Sequence, residues 1–355
     1  MNPSKLVFLI ALLGCATAGT LQADEQQQEG LENLDAFYEQ LAKGREPDLN
    51  VQSQLFDQEG TNFMLRGLTN SASLKFDPAS FMTLSAQGGE GTYWNQNNLA
   101  QDGFVSVGGQ IRIQSVNWFQ GQVGYHSLGT GATLFQAQYG YRWKDSPFWA
   151  TIGARRDLVQ DSFLSLVGQD IGGQSLGAAR SDKMFAEVGS NLGFLEISLA
   201  PYAGWVQSQS LPENHDVGAE AIVSLPVVRA SSATLSLQYD LQVQHYEQDQ
   251  SGFSPSSVEP LPGGYFSPQL FISQTPELAF KETGEHSELK CSAGPSFQYV
   301  KTDDSPVTHE LGAEAEISWL WRITRGLSLQ LDSQYLKIAE VYDRLGLNGA
   351  LSYAF

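Results

Sequence analysis

Apolar and polar side chains alternate with a period of two along most of the chain. From Leu235 to Gln244 every odd residue is apolar and every even residue is polar. Val105, Val107, Gly109, Ile111 and Ile113 oppose Ser106, Gly108, Gln110, Arg112 and Gln114. Phe135, Ala137, Tyr139, Tyr141 and Trp143 oppose Gln136, Gln138 and Arg142. Leu311 to Trp321 repeat the pattern against Glu314, Glu316 and Ser318, and Leu327, Leu329 and Leu331 oppose Ser328, Gln330 and Asp332. Successive side chains on a strand point to opposite faces, so this pattern predicts strands with one greasy and one wet face.

A soluble sandwich would show the same alternation. Three features favour a membrane barrel. The alternating segments run to about 10 residues, the length of a tilted span. Aromatics gather at their ends, as in Tyr141/Trp143, Trp319/Trp321 and Tyr93/Trp94, where membrane interfaces place them. The final segment, Leu345, Leu347, Gly349, Leu351, Tyr353 and Phe355, alternates to a terminal aromatic, a pattern that resembles an outer-membrane assembly signal with Phe355 as its key residue. Counting segments between turn clusters gives about 16, an even number as bacterial barrels require, and enough to leave an aqueous lumen. The expected fold is therefore all-β, a transmembrane antiparallel β-barrel. Gln169 to Lys183 and Gln248 to Gly264 are expected to be long loops.

The first residues depart from this pattern. Lys5, the apolar run Leu6 to Leu13 and Ala16-Thr17-Ala18 read as a Sec-type signal peptide over 1–18. Leu12-Leu13-Gly14-Cys15 loosely resembles a lipoprotein box, with Leu13 a poor fit. A polar periplasmic linker over 19–62 contains one amphipathic segment, in which Leu31, Leu34, Phe37, Tyr38 and Leu41 predict a short helix before Gly44. The barrel is then expected over 63–355, in the outer membrane of a Gram-negative-type envelope.

Composition removes several functions. Cleavage after Ala18 leaves Cys291 as the sole thiol, so neither an internal disulfide nor a cysteine-based zinc site is expected. The net charge of -19 argues against a nucleic-acid partner. None of the five histidines lies in an H-E-x-x-H or G-x-S-x-G context. No catalytic, metal or cofactor site is expected.

Two stretches carry more information. Arg156 to Gly168 reads R-x-x-V-x-D-S-x-L-S-x-x-G, with Asp161, Ser162, Ser165 and Gly168 at its fixed positions, and Gly263-Gly264-Tyr265-Phe266-Ser267-Pro268-Gln269 follows downstream. Together they resemble the C-terminal barrel domain of the cellulose synthase operon protein C family over roughly residues 75 to 355. The resemblance implies a 16-stranded outer-membrane pore that exports a growing exopolysaccharide, a cellulose-like glycan. It also implies contacts with outer-membrane lipids, the barrel assembly machinery and the polymer. Members usually carry helical repeats before the barrel. None is visible in the roughly 40 residues that precede it here, so a separate periplasmic repeat protein or an inner-membrane synthase would be a further partner.

Side-chain parity places Gln110, Arg112, Gln136, Gln138, Arg142, Gln238, Asp240, Gln242, Glu314, Glu316, Gln330 and Asp332 toward the lumen. Inward polar groups exchange weak hydrogen bonds with glycan hydroxyls, and many weak sites let a chain slide. Arg155, Arg156, Asp161, Tyr265, Phe266 and Gln269 join these as candidate glycan contacts. The plainer reading of Arg155, Arg156, Asp157 and Asp161 is a set of ion pairs bracing the wall. That of Gly263 to Pro268 is a loop-to-strand corner. A general diffusion porin and a structural or adhesive barrel remain open as alternatives.

Overall fold

A computed structural model describes residues 47–60, 64–79, 81–114, 117–128, 132–142, 147–171, 174–209, 212–250, 265–302, 307–338 and 342–355. The expected leader, the helix expected within 31–41, Trp143, Gly263 and Gly264 lie outside the described residues.

The chain forms β1 (Asp48–Glu59), β2 (Leu65–Ala79), β3 (Met82–Trp94), β4 (Leu99–Gln114), β5 (Asn117–His126), β6 (Ala132–Arg142) and β7 (Phe148–Leu158). A one-turn helix α1 (Phe163–Val167) and a three-residue strand β8 (Gln169–Ile171) follow. Then come β9 (Gln174–Asn191), β10 (Glu196–Gln209), β11 (Asn214–Arg229), β12 (Ala233–Tyr246), β13 (Leu270–Thr283), β14 (Ser287–Lys301), β15 (Thr308–Arg322), β16 (Leu327–Ile338) and β17 (Tyr342–Ala354). β8 pairs only with the first residues of β9, while β7 pairs with β9 directly. The other sixteen strands each pair antiparallel with their neighbours, and β1 pairs with β17 from Asp48↔Ala354 to Glu59↔Asp343. The sheet is thus a closed barrel of 16 strands, which leaves no open edge in lipid.

Alternation fixes which face looks out. Val51, Leu55, Val105, Val107, Ile152, Leu237, Leu311 and Leu351 are exposed on the outer face, as lipid contact requires. Trp319 and Trp321 stack there with ring centroids 6.0 Å apart, and Tyr353 meets Phe355 edge to face at 5.0 Å. These pairs sit at the end where both chain ends of the barrel lie and where the connections are short. The described parts of the longer connections, among them α1 and Tyr265–Pro268, lie at the opposite end. Bacterial barrels place short turns in the periplasm and long loops outside. The first end is therefore the periplasmic mouth and the second the outer mouth.

Two boundaries differ from the sequence expectation. β1 lies in the stretch read as linker. Its inward residues are mostly amides, Asn50, Gln52, Gln54 and Gln58, with Phe56 the one inward aromatic, and among its outward positions Val51 and Leu55 are greasy but Ser53 and Asp57 are not, so its composition imitates a polar linker. The expected loop Gln169 to Lys183 is mostly strand, because Gln169–Ile171 forms β8 and the chain from Gln174 onward is β9, which pairs with β8, β7 and β10.

Candidate functional site: a two-sided lumen with a plugged outer mouth

The inner face has two chemically distinct sides. From β1 to β6 it is lined by amides and hydroxyls. Asn50 Nδ2 donates to Ser352 Oγ at 2.8 Å and Gln52 Nε2 to Asn348 Oδ1 at 2.8 Å. Gln122 Nε2 donates to Ser106 Oγ at 2.9 Å and Gln138 Nε2 to Gln120 Oε1 at 3.2 Å. The facing side is acidic at mid-height. Glu220, Asp240, Glu277 and Glu314 all point inward from β11, β12, β13 and β15, and Asp240 lies within electrostatic reach of the other three. Thr275 Oγ1 donates to Glu314 at 3.1 Å and Gln238 Nε2 to Glu277 at 3.2 Å. Asp332 accepts from Ser318 Oγ, Gln330 Nε2 and Asn348 Nδ2 at 2.7, 3.0 and 2.9 Å. Toward the periplasmic mouth the inward charges become basic, with Lys75, Arg112, Arg142 and Arg322 on the wall. A cavity of about 570 Å³ opens there, lined in part by Asp48, Gln52, Lys75, Arg322 and Ser352.

Two segments fold inward at the outer mouth. The first is built around α1. Ser162 caps the helix by accepting from Ser165 N at 3.1 Å, and Ser165 Oγ accepts from Ser162 N at 2.9 Å. This reciprocal box satisfies donors that a helix start would otherwise orphan. Gly168 ends the helix at φ 80°, ψ 161°, a backbone region in which essentially only glycine is unstrained. The helix then buries Phe163 and Leu166 against Phe56, Leu65, Tyr93 and Leu128 of the wall. The second segment is Tyr265 to Pro268, all buried. Tyr265 Oη donates to Gln250 Oε1 at 2.7 Å and accepts from Asn214 Nδ2 at 3.1 Å. Ser267 Oγ accepts from Gln250 N at 2.8 Å, and Phe266 packs edge to face on Phe271 at 5.3 Å. One carboxylate joins the two segments. Asp161 Oδ2 accepts from Phe266 N at 2.8 Å, while the Asp161 carbonyl accepts from Gln58 Nε2 of β1. Below this junction lies a cavity of about 420 Å³ bordered by Arg155, Asp157, Lys183, Gln242, Glu314 and Arg344. Burial pushes the Asp161 carboxyl above the usual carboxylate range, opposed by the Phe266 N–H, Arg344 and Lys183.

Comparison with known proteins places this geometry. The sequence matches the family described as "Cellulose synthase operon protein C C-terminus" over residues 67–317. The chain belongs to that family. Among solved structures, the chain resembles a bacterial polysaccharide outer membrane secretin, with a TM-score of 0.64 at 9% identity over 88% of this chain and 99% of the other. It also resembles CdiB from Acinetobacter baumannii, with a TM-score of 0.50 at 9% identity over 86% of this chain and 60% of that one. At such identities these likenesses concern the fold. No curated protein matches the sequence closely enough to count as a relative. Family and fold together make this cellulose synthase operon protein C relative an outer-membrane barrel.

The motif residues of the family take up structural posts. Ser162 and Gly168 begin and end α1, Asp161 ties α1 to the downstream segment, and Ser267 and Pro268 are buried in it. Tyr265 and Phe266 are 1% and 8% exposed, so they hold the plug and offer no open ring face to a sugar. Gln269 is half-buried beside them, and its carbonyl meets His245 Nδ1. Arg156 departs from the lumen expectation. It pairs with Phe135 and Asp182 on the outer face, lies 5.5 Å from the Phe135 ring centroid and grips Asp182 with bonds of 2.6 and 3.0 Å. Adjacent residues on a strand cannot share a face, so only one of Arg155 and Arg156 could point inward. An arginine at the bilayer midplane costs about 2–4 kcal/mol but close to ~0–1 kcal/mol near an interface, which this paired residue approaches at the outer end of β7. Arg155 does face the lumen, with Nε 3.3 Å from Asp157. Arg112, Arg142, Asp240, Glu314, Glu316 and Asp332 face it too, by register with inward neighbours. Tyr93, read as an interfacial aromatic, instead points inward under α1. Sequence parity missed the inward aromatics Phe56, Phe104, Trp118, Trp149, Phe185 and Tyr202, because an apolar residue on a barrel strand reads as lipid-facing by default.

Proposed function

We propose that the barrel exports a neutral exopolysaccharide, a cellulose-like glycan, from the periplasm to the cell surface. The observation that carries this reading is the plug. Two loops fold into the outer mouth and are fastened both to the wall and to each other. A general diffusion porin keeps its passage open, and a purely structural barrel fills its interior. Here open space of about 420 and 570 Å³ persists inside while α1 and Tyr265–Pro268 pack inward at the outer mouth. A passage closed at rest and lined by weak hydrogen-bonding groups suits intermittent transit of a long hydroxylated chain. The similarity to a polysaccharide secretin and the family membership support the same reading. They also favour a passive pore over an enzyme.

In this scheme Phe355 ends the strand recognised by the assembly machinery, the leader delivers the chain to the periplasm, and a separate repeat protein or synthase supplies the polymer. Gene deletion followed by a glycan-binding dye assay tests the proposal. Loss of surface polymer, restored by the intact gene, is the expected result. Unchanged polymer together with altered uptake of small solutes would overturn it in favour of a diffusion porin.

A further inference from the structure

Trp118 and Trp149 stand apart from the lipid-facing aromatic girdle. Trp118 pairs with Arg112 on one side and Gly140 on the other, and Trp149 pairs with Arg142 and Gly189, all on the inner face. Their sequence neighbours Phe119 and Phe148 are exposed on the outer face, so an inward direction for the two indoles follows from strand alternation. Each indole lies across its cross-strand glycine. A Cβ on Gly140 would stand 2.2 Å from Trp118 Cε2, and one on Gly189 would stand 2.5 Å from Trp149 Cζ2. The glycines leave flat seats on the wall, and the half-buried rings keep a side open to the aqueous lumen. Both sit at the periplasmic mouth, with the guanidinium groups of Arg112 and Arg142 beside them. Directly above Trp118 on the same wall, Gln120 and Gln138 are joined at 3.2 Å, and their amides both donate and accept, as sugar hydroxyls do.

We propose that Trp118 and Trp149 form a capture platform on which sugar rings stack as a polymer enters from the periplasm, before passing to the glutamines above. This inference rests on the export reading and names the substrate more closely. A pyranose has apolar C–H faces and a hydroxyl rim, which match an indole face bordered by hydrogen-bond donors. The opposite wall narrows the class. The inward carboxyls Glu220, Asp240, Glu277 and Glu314 give that wall no cationic partner for an anionic polymer. The ligand is then a neutral glycan that presents apolar C–H ring faces to the two indoles.

The test is titration of cellohexaose onto the full-length, detergent-solubilised protein, followed by tryptophan emission and calorimetry. The folded barrel is verified by its heat-modifiable gel mobility. Wild-type protein is expected to bind and shift its emission. Trp118→Ala and Trp149→Ala are each expected to weaken binding about threefold to tenfold, the range of one aromatic contact, and Trp→Phe to retain most of it. Should an alanine variant fail to fold, the Trp118→Phe, Trp149→Phe double variant replaces it: binding retained without the emission shift supports the platform. Equal affinity of wild type and folded alanine variants, or no binding by wild type, overturns the platform. Neither result touches the export reading, which stands or falls on surface polymer after gene deletion.

Discussion

Asp161 concentrates the behaviour of the plug in one side chain. It links α1 to Tyr265–Pro268, segments more than a hundred residues apart in sequence, through a single bond to Phe266 N. Its carboxyl is raised in the closed state, chiefly by burial. A raised carboxyl favours closure below its ordinary value near ~3.9 and loses that contribution as pH climbs through the raised one. Closure is therefore tightest in acid. Single-channel recordings should show openings that become more frequent as pH goes from about 4 to 8. Asp161→Asn retains an acceptor for Phe266 N and cannot ionise, so its opening frequency should stay at the acidic wild-type level across that range. A pH profile identical to wild type would show that other carboxyls govern opening. Part of this was readable in advance. The motif spacing marked Asp161, Ser162 and Gly168, and parity correctly turned Arg112, Arg142, Asp240, Glu314, Glu316 and Asp332 inward. What no one-dimensional pattern showed is that Asp161 reaches Phe266, or that Arg156 turns outward to Asp182, since both depend on partners brought in by other strands.

At the scale of whole strands and loops, legibility depended on contrast between faces. β12 and β15 announced themselves by strict alternation. β1 did not, because its inward face is amide-rich and its outward face includes Ser53 and Asp57 beside Val51 and Leu55. It is nonetheless the strand that closes the barrel. Leu55 faces lipid between Leu347 and Leu68 near the middle of β1. Leu55→Arg should cost about 2–4 kcal/mol, read as a lower urea midpoint for unfolding from lipid vesicles. A change below about 0.5 kcal/mol would mean that this position sits at an interface and that the barrel is set at a different depth. α1 invites a second test. Phe163 and Leu166 supply the apolar contacts that hold it to the wall. Truncating buried residues of this kind typically costs about 2–5 kcal/mol each. Phe163→Ala with Leu166→Ala should leave the barrel folded, since α1 lies outside the strand ladder, and raise open-channel conductance several-fold. Conductance equal to wild type would mean that the Tyr265–Pro268 segment alone closes the mouth.

For the molecule as a whole, the ordering of charge with depth is the property that no local window of sequence reveals. Basic groups surround the periplasmic mouth, carboxylates line one side of the waist, and amides line the other. Carboxyls gathered on one wall of a narrow pore favour cations to the extent that they ionise. Once the plug is released by the α1 substitutions, reversal potentials in a salt gradient should show cation preference. Replacing Glu220, Glu277 and Glu314 by Gln and Asp240 by Asn should reduce that preference strongly without loss of conductance. Persistence of the preference in the neutralised variant would assign selectivity to the loops. The overall class and the approximate strand number could be inferred from periodicity together with segment length and the aromatics at segment ends, because a barrel repeats one rule sixteen times. The division of its interior into unlike sides could not, because it arises from which strands stand across from one another.

Closure of the outer mouth by folded loops bears on the cell that carries such a pore. A sixteen-stranded cylinder left agape would be a standing leak for bile salts, dyes and antibiotics. If the barrel exports a polymer as proposed, a lid composed of its own chain would let the envelope keep its permeability barrier between bouts of secretion.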